Sequence, residues 1–256
     1  MLNKLRKFLK GDKKIFLEFC RLNNLELNYQ INKNEFEILK AIFENREYSD
    51  YFPFYKKVNI IDIGAHYGYF SIFSANNTDK DSRLIAIEPN KNNFKYLRKN
   101  IEENNLSNIN CFNYAIGEKS GLNKLYHGQS PNHSIIENYT LLNQNGDFET
   151  IEVKTLEEII IENELEKIDF LKMDCEGAEF SILGKTPKYI YDKILTISME
   201  FHDLKDKNFT GEYLIKILTE NGFNIVKYKY EKTSMNLNYG KIIGTKLFST
   251  LINNNF

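Results

Sequence analysis

The run Val58-Asn59-Ile60-Ile61-Asp62-Ile63-Gly64 constrains this chain more than any other stretch. It is short, β-branched and apolar, and it closes on an acidic residue and a glycine. Such a run suits a strand buried on both faces, as in a parallel sheet with helices above and below. The same design recurs. RLIAIEP (83–89) is a second buried strand, stopped by Pro89; NINCFNYAIG (108–117) is a third; KIDFLKMD (167–174) and KILTISMEF (193–201) are two more. Helical segments separate them: one beginning near Gly68, an amphipathic stretch over 90–105 with Phe94, Leu97 and Ile101 on one side, and one around 177–184. GEYLIKILTENG (211–222) has a helical period and a glycine stop. It leads into FNIVKYKY (223–230) and KIIGTKLFSTLI (241–252), close enough to add an antiparallel hairpin at one edge. Strands alternating with helices predict an α/β fold with a parallel sheet covered on both faces.

Residues 1–57 read differently. Ile15, Phe16, Phe19 and Leu22, then Phe36, Leu39, Ile42 and Phe43, recur at helical spacing. This predicts a helical N-terminal extension (1–57), a lid or packing element, before the main domain (58–256). The basic, apolar start MLNKLRKFLK suits a solvated helix packed on its own domain better than a membrane anchor. No apolar run approaches the ~18 residues of a membrane span. With 34 basic against 35 acidic side chains, the chain has no global field for a polyanion. The four prolines, Pro53, Pro89, Pro131 and Pro187, are isolated, so there is no Asn-Pro-Pro-aromatic loop of the kind that holds a flipped base. Nucleic acid is therefore not an expected partner. Three cysteines without C-x-x-C spacing, and no signal-like segment, predict a reducing, cytoplasmic setting.

Ligands of open α/β sheets bind beyond the carboxyl ends of the strands, where strand order reverses. The first strand ends in Asp62-Ile63-Gly64-Ala65-His66-Tyr67-Gly68, where Gly64 permits a tight turn and Gly68 close packing. Glu88 ends the second strand, 24 residues after Gly64, where a carboxylate accepts both hydroxyls of a ribose. A dinucleotide fold needs a third glycine for its pyrophosphate. Here the spacing is Gly-x-x-x-Gly with Asp62 beside it, which suits a cationic sulfonium better than an anion. S-adenosylmethionine is favoured over NAD.

The segments IIDIGAHYGYFSI (60–72), IAIEPN (85–90), NYAIGEKSG (113–121), IDFLKMDCEGAEFSIL (168–183) and ISMEFH (197–202) resemble the FkbM-type S-adenosylmethionine-dependent methyltransferases, over about residues 55–205. The resemblance implies a class I methyltransferase, Rossmann-like fold of seven strands, one of them antiparallel. It also implies methyl transfer to a hydroxyl of a sugar, glycan or polyketide-like small metabolite. By the same resemblance Asp62, Gly64, Ala65 and Gly68, with His66 in the same turn, surround the methionine part of the cofactor. Glu88 takes the ribose, Pro89 and Asn90 shape that wall, and Asn113, Tyr114 and Ala115 border the adenine.

On the acceptor side, Asp174 ends the fourth strand and is followed by Glu176 and Glu179, a crowding that raises carboxylate pKa values toward neutrality. Glu176 has a competing reading as a cap for the helix starting at Gly177. Lys172, inside a central strand, is either a clamp or the structural partner of a nearby carboxylate. Glu200 and His202 share a face at the end of strand five, and a His–carboxylate pair deprotonates hydroxyls. Asp174, Glu200, His202 and Lys172 are thus the catalytic candidates. The first three also suit a divalent ion, but no tight motif supports a metal and none is expected. Cys175 lacks a cationic neighbour that would make it a nucleophile. The polar insert 118–152, with His133, reads as a lid or substrate wall that selects the acceptor together with the N-terminal helices. Two alternatives stay open: an NAD(P)-dependent oxidoreductase, and a non-catalytic interaction module on a cofactor fold.

Overall fold

A computed structural model of the chain describes residues 14–27, 33–127, 133–136, 147–202, 209–231 and 239–247. The basic start of the chain and the middle of the 118–152 insert lie outside the described residues.

Seven strands form the main sheet: β1 (Asn59–Ile63), β2 (Arg83–Ile87), β3 (Ile109–Phe112), β7 (Phe170–Met173), β8 (Thr196–His202), β9 (Asn224–Glu231) and β10 (Tyr239–Thr245). Their order is β3-β2-β1-β7-β8-β10-β9. All pairings among the first five are parallel, and β10 runs antiparallel between β8 and β9. This is the α/β sheet the sequence predicts, with its antiparallel hairpin at one edge. Strand order reverses at β1, which has β2 on one side and β7 on the other, so a crevice opens beyond the ends of these strands.

Each face of the sheet has its own core. Helices α5 (Leu156–Glu162), α6 (Glu179–Lys185) and α8 (Gly211–Glu220) bury Ile159, Leu183 and Leu214 against one face; a short α7 (Lys188–Tyr191) adds Tyr191. The other face carries α3 (Tyr69–Asn76) and α4 (Lys91–Glu103) together with α1 (14–22) and α2 (Lys33–Phe43). Phe16, Phe19, Leu39 and Phe52 join Phe70, Phe73 and Leu97 in a single buried cluster there. Ile15 and Leu22, expected on the buried side of α1, are 57% and 67% exposed. The helical reading of 1–57 also stops short, because 44–57 is a succession of turns after α2.

The expected strand over 108–117 divides in two. Asn113 donates from Nδ2 to the carbonyls of Glu88 and Pro89, each at 2.9 Å, and the chain leaves β2 there. Beyond it β4 (Ala115–Ile116) pairs with β6 (Phe148–Lys154), which pairs in turn with β5 (Gly121–Tyr126). The insert read as a polar lid thus supplies β5 and most of β6 to a second, three-stranded sheet with a small core of Leu125, Ile151 and Val153. Sequence reading also passed over α5. Its signal was present: Thr155 and Glu158 form a reciprocal capping box ahead of Ile159 and Ile160.

Candidate active site

The crevice at the strand ends holds a cavity of about 340 Å3, within the range of small-molecule sites. Its floor is the β1 turn. Gly64 has φ +75°, and a Cβ there would stand 1.8 Å from the Asp174 carbonyl oxygen, so only glycine lets the two strand ends approach. Gly68 has φ +86°, and a Cβ would meet Leu97 of α4 at 2.6 Å. Ala65 and His66 line the cavity between them.

Glu88 forms the wall at the end of β2. Its Oε2 accepts from the backbone N–H of His66 at 2.8 Å and its Oε1 from that of Asn90 at 2.9 Å. The side chain is buried, and burial pushes its carboxyl up to about 7 despite those donors. Asn90 itself caps α4, accepting at Oδ1 from the N–H groups of Asn92 and Asn93. Pro89, Ala115, Ile116, Leu125 and Ile135 complete an apolar slot, and His133 lies beside it. Burial lowers His66 to about 3 and His133 to about 4, so both imidazoles are neutral.

Not every predicted residue reaches the cavity. Asp62 lies behind the turn, taking a hydrogen bond from Ser71 Oγ at 2.7 Å and standing 3.1 Å from Lys172 Nζ. Lys172 also donates to the Gly64 carbonyl at 2.7 Å. Burial alone would lower its pKa, but Asp62 and Asp174 outweigh burial and hold it above the ordinary value. This buried pair ties β1 to β7, where the two residues are register partners. Tyr114 is buried and stacks on Phe112 with ring centroids 5.4 Å apart. Asn113 braces the Glu88–Pro89 backbone, as described above.

The opposite end of the cavity is acidic. Asp174, Glu176 and Glu200 line it, and His202 stands behind them, its Nε2 3.4 Å from Glu176 Oε2 and 3.5 Å from Glu200 Oε1. Burial would lower the His202 pKa, yet Glu176, Glu179 and Glu200 together raise it well above the ordinary value. His202 is therefore the cation of this cluster. Burial above all raises Glu176 to about 7, with the His202 charge opposing it and Asp174 adding to it, and burial moves Glu200 in the same direction.

Glu176 does not cap α6. It sits at φ +53° in the preceding turn, and Glu179 reaches back instead, accepting from the N–H groups of Cys175 and Gly177 at 2.9 Å each. Burial pushes the Cys175 thiol well up, which keeps it unreactive. Ligand atoms of Asp174, Glu200 and His202 lie within 4.8 Å of one another, a spacing a divalent ion spans.

Sequence reading missed Tyr48 and Lys241. The Tyr48 hydroxyl donates to Asp174 Oδ2 at 3.1 Å and reaches Glu200 Oε2 at 3.5 Å. Lys241 of β10 pairs with Glu47 and stands 3.4 Å from Glu200 Oε2. Neither lies in a motif, and no local signal in the sequence marks them.

Among the described lining residues, Lys172 is the one Lys or Arg, and Asp62 occupies it. A pyrophosphate finds no unengaged cation here. An apolar slot, a buried carboxylate at the end of β2 and an acidic far end instead fit a nucleoside joined to a cationic group.

Comparison with known proteins identifies a methyltransferase family. The model of the methyltransferase FkbM domain matches residues 62–225. Methyltransferase 1 of Beauveria bassiana (strain ARSEF 2860) is 26% identical over 196 residues, 70% of this chain and 78% of that protein. The AMB antimetabolite synthetase AmbE of Pseudomonas aeruginosa PAO1 is 26% identical over 237 residues, 76% of this chain but 11% of the synthetase. The crystal structure of methyltransferase FkbM from Methylobacillus flagellatus KT shares the fold, with a TM-score of 0.50 and 17% identity over 77% of this chain and 48% of that one.

Proposed function

The chain belongs to the FkbM methyltransferase family, and from that premise we propose that it transfers the methyl group of S-adenosylmethionine to a hydroxyl of a sugar, glycan or related small metabolite. One observation carries the reading. A single cavity joins the wall formed by Glu88 and its apolar slot to a cluster of carboxylates in which burial raises Glu176 and Glu200.

The residues divide the work by position. Glu88 accepts hydrogen bonds from ribose hydroxyls, held in place by the two backbone donors it already has. Gly64 and Ala65 let the backbone approach the methionine part, and Ile116, Leu125 and Ile135 exclude water around the base. When bound, the cofactor supplies an electrophilic sulfonium methyl group. The protein's task is to bring the acceptor oxygen into line and take its proton. Glu176 suits the second role, since burial raises it to about 7 and a base works best with a pKa near the working pH; Glu200 beside it, raised in the same direction, is the alternative base. Asp174, which shares the cluster, orients the hydroxyl. His202, positively charged, opposes the burial that raises Glu176 and Glu200 and holds them in place; it acts through them. Lys172 holds β1 and β7 in register and fixes the Gly64 carbonyl.

The test has two arms on the full chain. Calorimetry with S-adenosylhomocysteine is expected to show one site. A panel of hydroxylated acceptors with labelled S-adenosylmethionine is expected to give a base-stable ether product. Methyl transfer confined to amines or carbon would overturn the hydroxyl assignment while leaving the cofactor assignment intact.

The metal-like spacing of Asp174, Glu200 and His202 favours a second reading, in which a divalent ion polarises the acceptor oxygen. Turnover that a chelator abolishes and Mg2+ restores would support it; indifference to chelator leaves the carboxylates as the base.

A further inference from the structure

The acceptor end of the cavity is closed by a segment that belongs to no helix or strand. Residues 44–57 follow α2 as turns, and Arg46, Tyr48, Tyr51 and Tyr55 have φ of 56°, 66°, 62° and 57°. Non-glycine residues avoid this region, so contacts from elsewhere must hold the segment in place. Two ion pairs to the antiparallel hairpin do so. Glu47 pairs with Lys241 of β10, and Asp50 pairs with Lys227 of β9 at 2.5 Å. Between these latches hangs Tyr48. Its ring centroid lies 5.4 Å from the Lys172 ammonium and 5.7 Å from that of Lys241, and its hydroxyl sits on Asp174 and Glu200.

We infer that Tyr48 stands in for the acceptor: its phenol occupies the place an acceptor hydroxyl takes between Asp174 and Glu200, and the 44–50 strap must withdraw it before an acceptor binds. The inference deepens the hydroxyl-methylation reading and rests on it. An acceptor alcohol and a phenol present the same kind of O–H donor, and two hydroxyl oxygens cannot occupy the one point that lies 3.1 Å from Asp174 Oδ2 and 3.5 Å from Glu200 Oε2. The phenol is not itself a base. Burial and the charges of Asp174 and Glu200 push its pKa well above the ordinary value, so it remains a neutral donor. Release is inexpensive on the Asp50 side, because Asp50 and Lys227 are about half exposed and pairs of that kind hold weakly. Tyr48 therefore sets which acceptors enter, since an incoming hydroxyl must compete with the one built into the chain.

The experiment uses the full chain, its Tyr48→Phe variant and its Asp50→Asn variant, with glycerol as the acceptor probe. Calorimetry with S-adenosylhomocysteine comes first and is expected to give the same affinity in all three. Methylated glycerol is then followed by mass spectrometry across a glycerol series. Removing the hydroxyl is expected to lower KM for glycerol at least about 5-fold, with kcat within about 2-fold. Asp50→Asn keeps the phenol but loosens the strap, and is expected to lower KM about 2-fold. It decides the matter alone if Tyr48→Phe melts below the assay temperature. A fall in kcat with unchanged KM makes Tyr48 a fixed positioning residue and overturns the proposal. Equal kinetics in all three proteins, no turnover included, overturn it as well. Failure of S-adenosylhomocysteine to bind the unmutated chain strikes the donor assignment itself, and the inference falls with it.

Discussion

The two ends of the cavity are built by different means. At the nucleoside end the backbone does most of the positioning: Gly64 and Gly68 take left-handed turns, and Glu88 is fixed by the N–H groups of His66 and Asn90. These backbone parts lie within two consecutive βα junctions, and the apolar slot of Ile116, Leu125 and Ile135 is added from beyond β3. The acceptor end is built of side chains, and they come from far apart: Tyr48 from the turns after α2, Asp174 and Glu176 after β7, Glu200 and His202 from β8, Lys241 from β10. A site made from local backbone tolerates little substitution. A site made from converging side chains is free to change its partner while keeping its chemistry.

That contrast orders the expected effects of mutation. The largest falls on Gly64. A Cβ at Gly64 would stand 1.8 Å from a backbone oxygen at φ +75°, so Gly64→Ala is expected to cost several kcal/mol and to abolish S-adenosylhomocysteine binding. A melt and a calorimetric titration check both; a well-folded variant that binds would break the claim that the backbone makes this end. Next, Glu88→Ala removes the ribose acceptor and is expected to weaken S-adenosylhomocysteine roughly 100-fold or more. Its fold should survive, since Asn113 still braces the neighbouring carbonyls.

At the other end the expected split is reversed. Glu200→Gln or His202→Ala should slow transfer by roughly 100-fold while the S-adenosylhomocysteine affinity stays within about 2-fold. Stopped-time assays beside calorimetry separate the two readouts. A comparable loss of cofactor affinity would erase the distinction between the ends.

A smaller effect concerns pH. Glu176 holds its proton up to about 7. A carboxylate base works only when ionised, so kcat/KM should fall as pH drops through about 7 and level off above it. In Glu176→Gln that inflection should move or vanish. A profile unchanged in the variant would pass the base role to Glu200. The same group carries a stability effect of known sign. A carboxyl whose folded pKa is raised binds its proton more tightly when folded, so its contribution is fully present below about 4.5 and is lost as pH rises through about 7. Glu88 behaves alike, its folded value also about 7. The unliganded chain should therefore lose some stability between these limits on their account, and cofactor should offset the loss.

How much of this the sequence carries follows from the same contrast. Buried strands such as NIIDI and RLIAI announce themselves by composition, and the two glycines and Glu88 sit at their ends in the expected spacing. The sheet and the placing of Gly64, Gly68 and Glu88 at its strand ends were legible for that reason. The short β4–β6–β5 sheet was not, because β5 exposes most of its residues and alternates weakly, so it reads as polar insert. Asp62 illustrates a different limit. Its charge suggested a sulfonium nearby, but Lys172 across the β1–β7 pair takes that charge, a partnership set by strand register. Tyr48 illustrates a third. Its importance depends on a fold that brings residues 126 positions apart within hydrogen-bond reach.

The most direct test of the cavity's assignment is calorimetric titration of S-adenosylhomocysteine into the full chain beside its Glu88→Ala variant. One saturable site in the unmutated chain and none at the same concentrations in the variant is the expected result. No heat in the unmutated chain, or identical binding by both, would contradict it.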